Sequence, residues 1–212
     1  MAGNYWMRID MVENPPSYLV PDDVCYYARD YTTEGGFSAS VANNLINNFK
    51  KEKRTQGTLE WKYKEGAVTQ LAREISITLP DGATVCSIPP SKSRDDPDFD
   101  PRYDMLFAQV LKGGRKIVVE EPVVCIASTG KAHKGEISRD PNDIITNYQW
   151  DGFKGPVPEV LYVIDDVISS GGHFRAFQAL VHKHYPTIEI VGLFFGKTVR
   201  VQNVPEEREK EE

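Results

Sequence analysis

Two adjacent acids, followed by small hydroxyl and glycine residues, are the feature of this sequence that most clearly suggests chemistry. Asp165 and Asp166 follow the apolar run 161–164, and the run Ser-Ser-Gly-Gly occupies residues 169–172. Small residues let the backbone approach a phosphate closely, and the free amides of a helix that starts here attract its charge. The carboxylates can accept hydrogen bonds from the vicinal hydroxyls of a ribose. The spacing therefore predicts a site for a ribose and its 5′-phosphate.

The same residue types have a purely structural interpretation. An acid pair at the end of a strand can cap a loop, and Ser-Ser-Gly-Gly can form a plain turn. The order of acids, hydroxyls, glycines and helix start favours the ligand site. Asp165 and Asp166 are then the candidate catalytic residues. The candidate phosphate-binding residues are Val167, Ile168, Ser169, Ser170, Gly171, Gly172 and His173.

The elements around this stretch predict an α/β fold. Near-continuous apolar runs, typical of buried strands, occupy residues 84–88, 117–127, 160–168 and 188–195, with Pro122 interrupting the second. Helical periodicity marks residues 103–111 and 172–184. Buried strands separated by helices indicate an open, mostly parallel sheet with helices on both faces. Ligands bind such a sheet beyond the carboxyl ends of its strands, where the acid pair lies.

The first 82 residues have a different pattern. Residues 41–49 and 65–75 show helical spacing of apolar residues, and Ser38 or Ser40 can cap the first of these helices. The aromatic-rich run 23–31 predicts a short helix. We therefore expect an N-terminal helical region over residues 1–82, acting as a hood or a protein-partner surface. A core over residues 83–200 and an acidic, disordered tail over residues 201–212 would follow.

Composition and charge limit the partners and the location. The formal net charge is −6, and the last seven residues, with five acids and two bases, carry −3 of it. This acidity argues against bulk nucleic-acid binding. The basic run 50–54 predicts a solvated helix end, with an anion or nucleic-acid patch as the alternative. Three scattered cysteines and no run of 18 apolar residues predict a reduced, cytoplasmic protein without a membrane span.

The stretch 161–173 resembles the diphosphate-sugar-binding signature of type I phosphoribosyltransferases. Both contain four apolar residues, two acids, two apolar residues, two small hydroxyl residues and a glycine. Tyr162 replaces an aliphatic residue of the signature. His173 replaces the Ser or Thr that binds the 5′-phosphate in the family. The resemblance covers residues 83–197 and is nearest to the competence-associated, ComF-like branch, which has a similar order of residues through Arg102 and Tyr103.

This resemblance implies further site residues and a donor. The pyrophosphate loop of the family corresponds to Pro90, Ser91, Lys92 and Ser93. Its mobile loop corresponds to a segment that contains Lys131, His133, Lys134 and Arg139. The implied donor is phosphoribosyl pyrophosphate (PRPP) with Mg²⁺, or a nucleoside 5′-phosphate in its place, and a homodimer is expected.

The implied activity is that of a glycosyltransferase that moves the phosphoribosyl group to a nitrogen acceptor. Fold alone does not fix function, so two alternatives stay open: a non-catalytic PRPP- or nucleotide-sensing regulator, and an effector that acts on nucleic acid. The acceptor is not specified by the sequence. Trp61, Tyr63, Tyr148 and Trp150 could stack on a base or pack in a core. Glu120 and Glu121 could accept a proton or form a solvated strand edge.

Overall fold

A seven-stranded sheet organises the chain. The computed structural model describes residues 6–126 and 138–199. The first strands are β1 (Met7–Arg8), β2 (Val24–Tyr27), β3 (Asp30–Tyr31), β4 (Ala83–Ser87) and β5 (Ile117–Val119). Later in the chain come β6 (Val123–Cys125), β7 (Tyr148–Trp150), β8 (Val160–Ile168) and β9 (Glu189–Thr198). The large sheet has the order β1-β2-β9-β8-β4-β5, with β3 also beside β9, while β6 and β7 form a separate antiparallel pair.

Helices connect the strands and cover the sheet. They are α1 (Val41–Phe49), α2 (Leu59–Thr78), α3 (Arg102–Lys112), α4 (Pro141–Ile144) and α5 (Gly172–His184). Short 3₁₀ turns occupy Gly36–Ser38, Lys53–Thr55 and Ile145–Asn147. Within the large sheet only β1 runs antiparallel to its neighbour β2. The predicted open, mostly parallel sheet is therefore confirmed.

Helices lie on both faces of the sheet, as the sequence predicts. Neighbouring residues of a strand point to opposite faces, so Ile164 packs in a cluster with α1, α2 and α3. Val163, one residue earlier, packs in a second cluster with Phe174 and Phe177 of α5. Because both clusters are buried and continuous, β4, β8 and β9 are fixed at the centre of the molecule and their carboxyl ends form a rigid edge.

The helix boundaries agree with the sequence in most places. α5 has the predicted extent, and Ser40 caps α1 by accepting a hydrogen bond of 2.9 Å from the backbone nitrogen of Asn43. α2 starts at Leu59, earlier than its apolar periodicity predicts. The short helix predicted over residues 23–31 is wrong, because β2 and β3 occupy that run. This run instead pairs in parallel with β9, and the β-favouring residues of Val-Cys-Tyr-Tyr suit a strand.

Some expectations concern the location and the ends of the chain. Among the helices that the structure describes, none has the length and apolarity needed to cross a bilayer. The side chains of Cys25 and Cys86 are buried, and that of Cys125 is half-buried. The acidic tail predicted over residues 201–212 lies outside the described residues.

Candidate functional site

The turn between β8 and α5 has the backbone geometry that a phosphate-binding loop needs. Gly171 precedes the helix with a φ of 81°, a left-handed conformation that favours glycine. The hydroxyl of Ser170 accepts a bond of 3.4 Å from the backbone nitrogen of Gly172. The amides of His173 and Phe174 lie in the first helical turn, where they have no intrahelical acceptor. The start of α5 therefore presents backbone donors and the positive end of the helix dipole.

Two other segments hold this turn in place. The backbone nitrogen of Tyr18 donates to the carbonyl oxygen of Ser170 at 2.9 Å. A Cβ at Gly171 would lie 2.9 Å from Leu19, and a Cβ at Gly172 would collide with the carbonyl oxygen of Arg139. Close packing therefore requires glycine at both positions, and the left-handed backbone favours it at Gly171 as well. Ser169 is tied to the end of β9, since its hydroxyl lies 2.6 Å from that of Thr198.

A cavity of about 990 Å³ opens at this edge of the sheet. Its walls are formed by Tyr18, Ser138, Arg139, Asp140, Asp165, Val167, Ile168, Ser169, Ser170, Gly171, Gly172, His173, Phe174 and Phe194. The cavity thus contains one acid of the predicted pair and all seven predicted phosphate-binding residues. Its volume lies within the range of ligand sites for small molecules.

Asp165 is the member of the acid pair that lines the cavity. Its Oδ1 accepts hydrogen bonds from the hydroxyl of Tyr103 at 2.7 Å and from the backbone nitrogen of Asp166 at 2.8 Å. Burial, together with the neighbouring charge of Asp166, raises the pKa of Asp165 to about 7. The carboxyl group therefore changes its charge near neutral pH, which is common for acids in functional sites.

Asp166 belongs to a chain of charges on the side of α1 and α3. Its Oδ2 accepts from Nη1 of Arg102 at 2.6 Å, and its Oδ1 lies 3.3 Å from Nζ of Lys50. Arg102 also donates to Asp100 at 2.8 Å, and Asp100 in turn pairs with Lys64 at 2.7 Å. Lys50 is part of the basic run 50–54, so this residue of the run has an internal partner.

The histidine in the loop has an aromatic partner. Nδ1 of His173 lies 2.8 Å from the hydroxyl of Tyr148, and burial raises the pKa of Tyr148 well above its usual range. Desolvation by the surrounding walls lowers the pKa of His173, which favours its neutral ring. A Tyr148 hydroxyl that donates to Nδ1 fixes the imidazole proton on Nε2. His173 then offers an N–H donor where the related signature has a hydroxyl group.

The predicted pyrophosphate loop lies at a second, smaller cavity of about 310 Å³. Pro90, Lys92 and Ser93 line it together with Arg94 and Glu121. Nζ of Lys92 lies 3.1 Å from Asp98 and 3.9 Å from Asp96, so this cation already has acidic neighbours. Ser91 precedes Lys92 as an exposed residue of the same loop. The role of the loop in binding pyrophosphate stays a prediction.

One of the four cations predicted for the mobile loop lies among the residues that the structure describes. Lys131, His133 and Lys134 lie outside the described residues. Arg139 is described and lines the large cavity, where it is exposed. Among the described wall residues, Arg139 is the one that carries a permanent positive charge.

Most of the remaining candidates for acceptor contacts have structural partners, whereas Tyr63 is exposed. Trp61 is buried in the core, and Trp150 stacks on His184 with ring centres 4.4 Å apart. Glu120 is buried and accepts from the backbone nitrogens of Lys154 and Gly155 at 2.8 and 2.9 Å. It therefore holds a loop and is not a solvated strand edge. Tyr148 contacts His173, a wall residue of the large cavity.

A metal ion has no preformed protein site in the described part of the chain. No group of three or more His, Cys, Asp or Glu side chains there could hold one. Mg²⁺ commonly keeps several waters and binds through substrate phosphates. A magnesium ion at this cavity would therefore rely mainly on the oxygens of the ligand.

The sequence does not show that several residues of this site lie near the acid pair or the glycine turn. Arg102 and Tyr103 reach the acid pair from α3, Lys50 from the end of α1, and Tyr18 from the N-terminal segment. Each is distant from residues 165–173 in sequence. None of them belongs to a sequence motif that would predict which residue it contacts.

Comparisons with known proteins find a distant likeness in structure only. No protein family and no curated protein sequence matches the chain. One similar structure is a hypoxanthine phosphoribosyltransferase from Staphylococcus aureus, with 10% identity, a TM-score of 0.37, and 65% of this chain and 73% of that chain covered. Another is a glutamine mutant from an analysis of an invariant aspartic acid in HPRTs, with 9% identity, a TM-score of 0.35, and 65% and 72% covered.

At TM-scores this low, the likeness supports neither a family nor a function for this chain. The fold and the site by themselves define an α/β protein with an acid, a glycine turn and a helix start at the carboxyl edge of a mostly parallel sheet. The ComF-like branch stays a prediction.

Proposed function

We propose that this protein binds PRPP with Mg²⁺ in the large cavity and transfers the phosphoribosyl group to a nitrogen acceptor. The observation that carries the proposal is the placement of Asp165 in the same cavity as the turn 169–172 and the start of α5. A ribose 5′-phosphate has a diol at one end and a dianion at the other. The cavity offers an acceptor for the first and backbone donors for the second.

Each described residue has a defined part in this proposal. The amides at the start of α5, with Ser170 and His173, hold the 5′-phosphate. The carboxylate of Asp165 accepts hydrogen bonds from the ribose hydroxyls and favours positive charge on the sugar. Arg139, which also lines the cavity, favours the negative charge of departing pyrophosphate.

The transfer itself exchanges one bond at C1′ for another. The C1′–O bond breaks and its electron pair leaves with pyrophosphate, while the lone pair of the acceptor nitrogen forms the new C1′–N bond. The proton of that nitrogen leaves to pyrophosphate or to water. Mg²⁺ bound by the ligand's own oxygens supplies charge neutralisation for the leaving group.

Titration calorimetry tests binding directly. PRPP with Mg²⁺ is titrated into the wild type, Asp165→Asn and Asp81→Asn, the last a matched carboxyl-to-amide change at an exposed acid that pairs with Arg115. We expect micromolar binding by the wild type and Asp81→Asn, and a loss of at least tenfold in Asp165→Asn. Folded wild-type protein that binds no PRPP would overturn the proposal. Pyrophosphate release with a panel of bases and amines then tests transfer.

A non-catalytic sensor of PRPP or a nucleotide is the second candidate. The observation that favours it is the engagement of Asp166 by Arg102 and Lys50, which leaves Asp165 as the one member of the acid pair on the cavity wall. Tight binding of PRPP, with no release of pyrophosphate for any acceptor in the panel, would support the sensor.

An effector that acts on nucleic acid has less support from the described residues. Lys50 pairs with Asp166, Lys51 with Glu60 and Arg54 with Glu52. The basic run 50–54 is therefore largely compensated by neighbouring acids. Binding to RNA or DNA that weakens with rising salt concentration would support this hypothesis.

A further inference from the structure

Two neighbouring side chains at the start of α3 each hold one acid of the pair. We infer that Arg102 and Tyr103 divide the pair into a ligand-facing acid, Asp165, which Tyr103 positions, and a structural acid, Asp166, which Arg102 holds away from the ligand. This inference deepens the proposed function and rests on it for the identity of the ligand. We call these two residues the α3 clamp.

The two acids are neighbours on β8 and have different partners. Both belong to the strand Val160–Ile168, so their side chains leave it in opposite directions. Asp165 lines the large cavity, whereas Asp166 is bonded to Arg102 and Lys50 on the side of α1 and α3. Two adjacent acids on one strand are thus placed in different surroundings.

Asp166 is held by interactions that are costly to break. Arg102 joins it to Asp100, and Asp100 pairs with Lys64, whose side chain is fully buried. Lys64 also donates to the carbonyl oxygens of Phe49 and Lys51, both at 2.8 Å. Removing one member would leave a buried charge without its partner. The charge chain therefore keeps Asp166 in a structural role.

Tyr103 has the properties of a positioning residue for Asp165. The residue is 7% exposed and its ring packs edge-on against Phe49 with ring centres 5.7 Å apart, so the hydroxyl has a fixed direction. Burial raises the pKa of Tyr103 well above its usual range, so the hydroxyl stays protonated and donates to Oδ1 of Asp165. Among the described residues both hydrogen bonds to this carboxyl group end on Oδ1. Oδ2 is the oxygen left for a ligand.

The charge of Asp165 depends on groups from several elements. Asp166 on the same strand raises its pKa, while Tyr103 from α3 and Lys50 from α1 lower it. Tyr148 of β7 interacts with it electrostatically, and Arg139, Asp140 and His173 line the same cavity. The α3 clamp contributes the Tyr103 hydroxyl, which donates to the Asp165 carboxylate. Removing that hydroxyl should therefore raise the pKa of Asp165.

The test replaces Tyr103 by Phe and follows Asp165 itself. The carbon signal of the Asp165 carboxyl group is recorded by NMR from pH 5 to 9 in ligand-free protein. We expect a wild-type midpoint at about 7 and a midpoint roughly one pH unit higher in Tyr103→Phe, the size expected for one lost bond to a charged acceptor. Tyr162→Phe, which removes a hydroxyl from the same strand as Asp165, is the matched control and should titrate like the wild type.

Ligand affinity gives the second readout. PRPP with Mg²⁺ is titrated at pH 6, 7, 8 and 9. We expect Tyr103→Phe to bind up to roughly tenfold more weakly than the wild type at pH 7 and to recover by pH 9, where Asp165 is ionised in both proteins. A loss that is the same at every pH would show a purely structural role for Tyr103 and would overturn the inference.

The outcomes separate this inference from the proposed function. Wild-type protein that does not bind PRPP would refute the proposed function, while a raised Asp165 midpoint in Tyr103→Phe would still support the α3 clamp. An unchanged midpoint would overturn the clamp whatever the affinity. Should Tyr103→Phe fail to fold, the hydroxyl proton of Tyr103 is followed by NMR in the wild type. If the clamp is correct, the chemical shift of this proton changes with pH at the same midpoint as the Asp165 carboxyl signal. A different midpoint would overturn the clamp.

Discussion

Identical side chains at positions 165 and 166 have different environments because a strand turns them to opposite sides. One lies on a cavity wall with a raised pKa, and the other is part of a chain of charges. At the scale of single residues, the same substitution should therefore have different effects at the two positions.

Asp165→Asn should change the pH dependence of stability. Because the pKa of Asp165 rises from an ordinary value near 4 to about 7 on folding, the folded protein binds more protons than the unfolded chain between these pH values. This contribution to stability is present at low pH and is lost as the pH rises through about 7. Relative to the wild type, Asp165→Asn should gain roughly 2–3 kcal/mol on going from pH 5 to pH 8, measured by urea unfolding.

Asp166→Asn is the matched control for that experiment. It removes the partner of Arg102 and Lys50 and should destabilise the protein at both pH values. Equal pH dependence in Asp165→Asn and the wild type would contradict a proton held by Asp165 in the folded state.

Lys64→Met should be among the most damaging single substitutions outside the cavity. The ammonium group of Lys64 is fully buried and bonds to Asp100 and to two carbonyl oxygens. Loss of this group leaves those acceptors unsatisfied, so we expect a cost of roughly 3–5 kcal/mol in the free energy of unfolding. Lys62→Met, at an exposed position of the same helix, should change it by no more than about 0.5 kcal/mol. Similar unfolding midpoints for the two variants would refute this role.

At the scale of elements, the unit β8–turn–α5 combines a rigid strand, a tight turn and a helix start. The turn is packed between residues 16–19 and residues 138–140, so its shape depends on both segments. A side chain at position 172 cannot fit without moving one of them.

Gly172→Ala should therefore weaken ligand binding and lower stability. The added methyl group would collide with the carbonyl oxygen of Arg139 and force residues 138–140 away from the turn. We expect a cost of roughly 1–3 kcal/mol in unfolding and a clear loss of PRPP affinity, measured by urea unfolding and calorimetry.

Gly66→Ala is the matched control within α2. A Cβ there meets no atom within 4 Å, and alanine favours a helix over glycine by about 0.5–1 kcal/mol. This variant should be stabilised and should bind as the wild type does. If Gly172→Ala bound PRPP as tightly as Gly66→Ala, residues 138–140 would have no part in shaping the site.

At the scale of the whole molecule, the N-terminal region is joined to the core. β2 pairs with β9, and α1 and α2 cover one face of the large sheet. Whether residues 1–82 also act as a hood or contact a protein partner stays a prediction, as do the homodimer and the cytoplasmic location. Since one continuous sheet underlies the site, ligand binding should stabilise the chain as a unit.

PRPP with Mg²⁺ should raise the thermal unfolding midpoint. A ligand at a hundred times its dissociation constant adds about 2.7 kcal/mol, which corresponds to roughly 5–10 °C for a chain of this size. Differential scanning fluorimetry would measure it, with Mg²⁺ alone and a nucleoside 5′-monophosphate as comparison ligands. An equal shift with the monophosphate would assign the site to a nucleotide, and no shift with either ligand would contradict a ribose 5′-phosphate site.

The sequence by itself determined the elements that carry the site. The apolar runs and helical spacing predicted the parallel sheet, α5 and the cap of α1, because these features depend on local periodicity and on neighbouring residues. The order of acids, hydroxyls and glycines predicted a turn at the carboxyl edge of β8, and the structure places a large cavity there. The strands β2 and β3 were missed because their partner, β9, lies far along the chain.

Only the tertiary structure decided how the two acids differ. Arg102, Tyr103 and Lys50 reach them from distant elements, and Tyr18 and residues 138–140 close around the glycine turn. Burial, which raises the pKa of Asp165, and the ion pairs that hold Asp166 arise from packing between elements. Such contacts leave no periodic pattern in the sequence, since they depend on side chains meeting across the fold.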